Sequence, residues 1–205
     1  MTKIKVGIVG TGFIGPAHIE ALRRLPNIDV AALCEVTIEL AEAKAKQLGI
    51  GRWYTFEELL KQDDIQCVHI CTPNFLHYSQ SKAALLAGKH VLIEKPVTTK
   101  SSDALELIRI ASEKNLTIMV DHTFVYSPPV NFIRQYIKSG NLGKIHSFDS
   151  KRINLGIIQK NSDVLWDLAV HDLSILNSVV PDLPISVSAS GAFLDNFEQA
   201  VTGYM

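Results

Sequence analysis

Six residues near the N-terminus, Gly10-Thr11-Gly12-Phe13-Ile14-Gly15, place glycine at the first, third and sixth positions of a short loop. The loop follows an apolar run over 3–10 and opens a helical pattern over 14–25, the context in which such glycines cradle a pyrophosphate. Gly10 would permit the tight turn. Gly12 would let the backbone approach the anion, and Gly15 would let the helix pack on the strand. The phosphates would then lie at the positive end of that helix, with Phe13 and Ile14 lining the cleft. Glu35 closes the next strand pattern, where a carboxylate accepts hydrogen bonds from an adenosine ribose. It would repel a 2′-phosphate, and Val36-Thr37-Ile38 supplies no arginine to receive one. NAD is therefore expected over NADP, with Arg52 the nearest cation not otherwise assigned. The alternative is a glycine turn in an unrelated α/β protein.

Three further groups carry chemistry. Cys71-Thr72-Pro73-Asn74 follows a strand pattern, with His77 three residues later. Ligands bind at the carboxyl ends of strands in open α/β sheets; Thr72 and Asn74 can equally cap the next helix. Glu94-Lys95-Pro96 ends the following strand at the same rim, and a lysine before proline is held extended. The plain alternative is a solvated loop lysine. Asp167 and His171 are four apart in Trp166-Asp167-Leu168-Ala169-Val170-His171-Asp172, hence on one face of a helix. A carboxylate there orients a histidine or raises its pKa; the alternative is a surface ion pair. Tyr78-Ser79-Gln80-Ser81-Lys82 matches the Tyr-x-x-x-Lys of short-chain dehydrogenases. It stands too early in the chain for that role and reads as a helix surface.

In this order, the glycine loop, Cys-Thr-Pro-Asn with its histidine, Glu-Lys-Pro and the Asp-x-x-x-His helix resemble the glucose-fructose oxidoreductase, inositol dehydrogenase and rhizopine-catabolism family. The stretch from Val120 to Pro128 is similar to that family's domain junction. The resemblance implies hydride transfer between a nicotinamide cofactor and a hydroxyl or keto group of a sugar, cyclitol or nucleotide sugar. It implies His171 as general base, Asp167 holding its tautomer, and Lys95 hydrogen-bonded to the reacting oxygen, the roles of Lys95 and His171 being interchangeable. The cofactor would be held by Gly10, Gly12, Phe13, Ile14, Gly15, Glu35, Thr72, Pro73, Asn74, His77, Glu94, Lys95 and Asp121. Asp121 is a departure, since many members carry glycine there. The chain also ends at Met205 within an apparent strand, whereas members continue, so an incomplete substrate domain is expected. Rival readings are another glycine-loop enzyme such as a methyltransferase, and a non-catalytic NAD-binding or sensor protein.

These side chains need a frame. Strand patterns at 3–10, 29–34, 53–55, 66–71, 90–93 and 117–120 alternate with helical patterns at 14–25 and 37–48, a short one opened at Thr55, one that runs to Ala87 and stops at Gly88, and one at 102–114. That alternation predicts an α/β fold with a doubly wound parallel sheet, a Rossmann domain over 1–121. Thr55 and Glu58 form a capping box. Over 122–205 the pattern changes to an α+β substrate-binding domain with an open-faced, largely antiparallel sheet. It has a helix at 128–139, strands at 144–153 and 185–193, a further strand beginning at 201–205, and a helix at 166–180. A truncated sheet would leave an unpaired edge, so a homo-oligomer is expected. A net charge of -1 and the lack of a basic cluster argue against nucleic acid. No run is apolar enough to span a bilayer, and no signal peptide is legible. The three cysteines, Cys34, Cys67 and Cys71, sit in strand patterns, which points to the cytoplasm and to no metal.

Overall fold

The computed structural model describes residues 3–152, 162–180 and 182–190. They form two compact units, 1–121 and 122–205. The first is a six-stranded parallel sheet: β1 (Ile4–Val9), β2 (Ile28–Cys34), β3 (Trp53–Tyr54), β4 (Cys67–Ile70), β5 (His90–Ile93) and β6 (Ile118–Val120). Their order in space is β3-β2-β1-β4-β5-β6. The chain runs outward from β1 through β2 to β3, then returns to place β4 on the other side of β1. The two loops after β1 and β4 therefore flank the point where the winding reverses, which is where open α/β sheets bind ligands.

The strands read as continuous apolar runs because both faces are covered. On one face Val6, Ile8 and Leu33 pack with Ile19 and Leu22 of α1 (Gly15–Arg23) and Ala41 and Ala45 of α2 (Ile38–Leu48). On the other, Val9, Ala32, Cys34, Val68 and Ile70 meet Leu59 of α3 (Phe56–Leu60), Leu85 of α4 (Asn74–Leu86) and Leu107 of α5 (Ser101–Glu113). Side chains alternate between faces at a period of two, so Val68 and Ile70 face α4 while His69 between them faces α1. The local signals hold. Thr37 caps α2, Gly49 ends it in the left-handed region at φ 65°, and Thr55 with Glu58 forms the capping box of α3.

The second unit carries α6 (Pro128–Lys138), opened by its two prolines, and α7 (Val170–Val179). The helix expected over 166–180 begins differently: Leu165–Ala169 is a single π-helical turn that leads into α7. Wide turns of this kind recur at functional sites. The expected strands at 144–153 and 185–193 are a correction. Residues 144–152 and 185–190 form no ladder, and Ile185 and Val187, expected on a buried face, are exposed. Alternation in sequence records which face a strand would bury, not whether a partner takes up its backbone groups; among the described residues neither segment has one. Ile153, the remainder of the second segment and the strand expected at 201–205 lie outside the described residues.

Candidate functional site

At the carboxyl edge of the sheet the residue after each of β1, β4, β5 and β6 bonds a neighbouring strand's end. Gly10 N–H donates to the Cys34 carbonyl, Cys71 N–H to Val9, Glu94 N–H to Ile70 and Asp121 N–H to Ile93, at 3.0, 2.8, 3.0 and 2.8 Å. The sheet thus sets Glu35, Gly10, Thr72, Lys95 and Asp121 along one rim, although they come from five separate stretches of sequence.

The three glycines of the first loop do different work. Gly10 has φ +87°, and a Cβ there would lie 3.0 Å from Thr72 Cγ2 and 3.1 Å from the Cys71 oxygen. Its lack of a side chain lets the β1 and β4 loops touch. A Cβ on Gly15 would stand 2.3 Å from the Gly10 carbonyl oxygen, so α1 can begin this close to the loop only from glycine. Gly12 is the opposite case, since a Cβ there meets nothing within 4 Å. Nothing in the described fold requires glycine at that position, which leaves an open approach to backbone at the start of α1. Ile14, at the N-cap of α1, supplies no side-chain cap. The residues fit a pyrophosphate. Phe13 is 89% exposed beside this approach.

Glu35 turns back onto the loop. Its Oε1 accepts the Thr11 N–H and the Thr11 hydroxyl, both at 2.5 Å. Among the described residues only Oε1 is engaged, so Oε2 is the oxygen open to a ligand. Arg52, the nearest cation in sequence left unassigned, is committed elsewhere. It makes 2.7 and 3.0 Å bonds to Asp64, which hold its guanidinium still further into the charged form, and a 3.0 Å bond to the Tyr54 hydroxyl.

On the β4 side, the capping alternative fails. The N-cap of α4 is Pro73, without a side-chain bond, and Thr72 donates instead to Gln80 at 2.6 Å. Pro73 is exposed and Asn74 half-buried at the same loop. His77 is fully buried, with Nδ1 2.7 Å from the Pro96 oxygen and Nε2 2.8 Å from the Thr72 oxygen. Its ring ties the β4 loop to the Lys95-Pro96 segment rather than facing solvent. Tyr78 and Lys82 both bond Glu106 on α5, so they join α4 to α5 from the helix surface on which the sequence placed them.

Sequence reasoning missed His18 and His69. His18 projects from the buried face of α1, 9% exposed. Its Nε2 lies 2.9 Å from Glu94 Oε1 and 3.3 Å from Asp121 Oδ2, and its Nδ1 lies 3.4 Å from His69 Nδ1. Burial works against charge on His18, but Asp121, Cys71 and Glu94 prevail and raise its pKa to about 12. Burial and the neighbouring His18 charge push His69 down to about 4. A neutral His69 whose Nδ1 accepts from His18 keeps its proton on Nε2. Burial, partly offset by His18, keeps the Cys71 thiol protonated. The signal was a histidine in the apolar stripe of α1 and another inside a buried strand. The other oxygen of Glu94 accepts the Lys95 N–H at 3.2 Å.

In the second unit His171 stands edge-on to the Phe124 ring at 4.8 Å. Arg152 covers that ring at 4.5 Å and pairs with Asp172 at 2.9 Å. Asp167 lies in the π turn and His171 at the start of α7, so the change of helical pitch falls between them.

A parallel sheet reversed at β1, with a three-glycine loop and a carboxylate on that loop, defines a dinucleotide-binding domain. The oxidoreductase family with an NAD-binding Rossmann fold matches residues 4–122. The chain belongs to this family, the one its motifs resembled. It is 34% identical over 149 residues to an uncharacterized oxidoreductase of Synechocystis sp., covering 71% of this chain and 40% of that protein. It is 28% identical over 194 residues to UDP-N-acetylglucosamine 3-dehydrogenase of Acidithiobacillus ferrooxidans, covering 93% and 59%. Levoglucosan dehydrogenase in complex with NADH and L-sorbose superposes with a TM-score of 0.77 at 28% identity, covering 87% and 53%. The chain thus spans about half the length of these relatives.

Proposed function

We propose that this chain binds NAD in preference to NADP and serves an enzyme that transfers hydride to or from a sugar, cyclitol or nucleotide sugar. The observation that carries the reading is the contrast within the glycine loop. Gly10 and Gly15 are required by the fold, whereas Gly12, which the fold does not require, leaves an open approach to backbone that a bound pyrophosphate accounts for. The engagement of Glu35 with Thr11 and of Arg52 with Asp64 supports NAD over NADP. Sugar and nucleotide-sugar dehydrogenases among the relatives support the substrate class.

When bound, the nicotinamide ring supplies a hydride acceptor and donor at C4. Glycine backbone and the start of α1 hold the phosphates, and Glu35 Oε2 accepts from ribose hydroxyls. Thr72, Pro73 and Asn74 form the opposite lip. Lys95 donates a hydrogen bond to the reacting oxygen and stabilises charge developing there. His171 takes the hydroxyl proton as general base, and Asp167 holds its tautomer. The same reading places the protein in the cytoplasm as a homo-oligomer; among the described residues no helix is long and apolar enough to cross a membrane.

Fluorescence titration with NADH, NADPH and S-adenosylmethionine tests the cofactor. Saturable NADH binding, tighter than NADPH, is expected. A preference for S-adenosylmethionine overturns the assignment. A panel of sugars and nucleotide sugars, followed by NADH absorbance, then separates an enzyme from a sensor that binds NADH and turns nothing over.

A further inference from the structure

The buried group around His18 lies behind the rim, on the α1 face of the sheet, and the proposed chemistry does not use it. It draws on each element that meets there: His18 from α1, His69 and Cys71 from β4 and its end, Glu94 after β5 and Asp121 after β6. Asp121, Cys71 and Glu94 are the ionisable groups that shift the His18 ring, and His69 stands beside it. The side chains of His18, Glu94 and Asp121 are 9%, 14% and 25% exposed. A charged imidazole between two partly buried carboxylates pairs with both and relieves their mutual repulsion.

We propose that Asp121 and His18 are positioning residues for Lys95. The His18 imidazolium, gripped by two carboxylates, fixes the Glu94 side chain, whose second oxygen holds the Lys95 N–H. His77 secures the far side of the same segment by its contact with the Pro96 carbonyl oxygen. Lys95 is thereby anchored through its own backbone and through that of the next residue. The inference rests on the reading that Lys95 serves the reacting oxygen, and it gives Asp121 a task that a glycine at the junction cannot perform. With Glu94 as its only carboxylate partner, His18 would lose its proton at lower pH and Glu94 would be freer to turn.

The test uses the whole chain, labelled with ¹⁵N, and needs no substrate. Ring-nitrogen spectra of His18 are followed against pH in the parent and in Asp121→Asn, together with hydrogen exchange of the Lys95 amide. In the parent, His18 should keep both ring protons through pH 9. In Asp121→Asn it should titrate at lower pH, and the Lys95 amide should exchange about tenfold faster, the size expected for release of a hydrogen bond to a carboxylate. The amides of Val91 and Ile93, inside β5, should not change. A His18 ring already neutral at pH 8 in the parent overturns the proposal. So does an unchanged Lys95 amide, or a general acceleration that includes Val91 and Ile93. Should Asp121→Asn fail to fold, Asp121→Gly gives the same two signals. A parent chain that does not bind NADH overturns the functional reading on which the role of Lys95 rests, whereas an unchanged Lys95 amide with NADH binding intact overturns the positioning alone.

Discussion

Placing one methyl group at Gly12 and one at Gly15 should separate the ligand's demands from those of the fold. At Gly15 the new Cβ would sit 2.3 Å from the Gly10 carbonyl oxygen. The obstacle is backbone, so no side chain can swing aside, and either the start of α1 or the loop must shift. Overpacking of this kind costs about 1–3 kcal/mol, and a backbone clash belongs at the upper end. For a domain of this size that lowers the melting temperature by roughly 5–12 °C. At Gly12 the Cβ meets nothing within 4 Å. Gly12→Ala should therefore leave the melting temperature within about 2 °C of the parent. It should still weaken NADH binding by about tenfold or more, because the methyl group occupies the space the pyrophosphate needs.

Thermal denaturation followed by circular dichroism reads the first quantity, and quenching of protein fluorescence by NADH reads the second. The reasoning predicts a crossed pattern: stability lost at Gly15, affinity lost at Gly12. Unchanged NADH affinity in Gly12→Ala would refute the cradle. An unchanged melting temperature in Gly15→Ala would refute the claim that the close approach of loop and helix requires glycine.

Glu35→Ala should weaken NADH binding by roughly one to two orders of magnitude, since a hydrogen bond to a charged group contributes about 1.5–3 kcal/mol; equal affinity of the parent for NADH and NADPH would defeat the assignment. In the intact enzyme, Lys95→Ala and His171→Ala should each keep NADH affinity and lose turnover by about 10²–10⁴-fold, with Asp167→Asn less damaging; full activity in either alanine variant removes its assigned role. Stability should pass through a maximum near neutral pH. His18, raised from 6.5 to about 12, contributes fully below 6.5 and progressively less as pH rises toward 12; His69, lowered from 6.5 to about 4, makes folding harder as pH falls from 6.5 toward 4. Urea unfolding at several pH values checks this, and His18→Gln should flatten the alkaline side. Tyr78→Phe should leave NADH binding unchanged, because that hydroxyl bridges to Glu106 on a helix surface; a binding defect on titration would reopen the tyrosine-lysine reading.

The first unit was legible because its signals are local and agree with one another. Each strand is a short apolar run, and helices such as α2 and α3 carry a clear stop or cap, Gly49 and Thr55. Parallel pairing follows once strands alternate with helices. The glycine loop and Glu35 were legible for the same reason: their spacing is fixed by a single strand, loop and helix. The second unit offered weaker signals. The alternation around Ile185 and Val187 predicts a face to be buried, but burial depends on a partner that no local pattern supplies. The spacing of Asp167 and His171 implied an α-helix throughout, and nothing in the composition of Leu165–Ala169 announces a π turn.

His18 shows where local reading stops. Its spacing from Gly15, Ile19 and Leu22 places it on the buried stripe of α1, but a histidine there has no meaning until its partners are known. Those partners are Glu94 and Asp121, at the ends of two strands that meet His18 only through the sheet order. Glu94 was legible as part of Glu-Lys-Pro, and Asp121 as an added carboxylate. That the two share one imidazole depends on β5 and β6 lying side by side and on α1 covering that face. The consequence reaches Lys95, because Glu94 has two oxygens: Oε1 faces the buried histidine and Oε2 holds the lysine N–H. A carboxylate that spans the dry interior and the rim transmits the state of one to the geometry of the other.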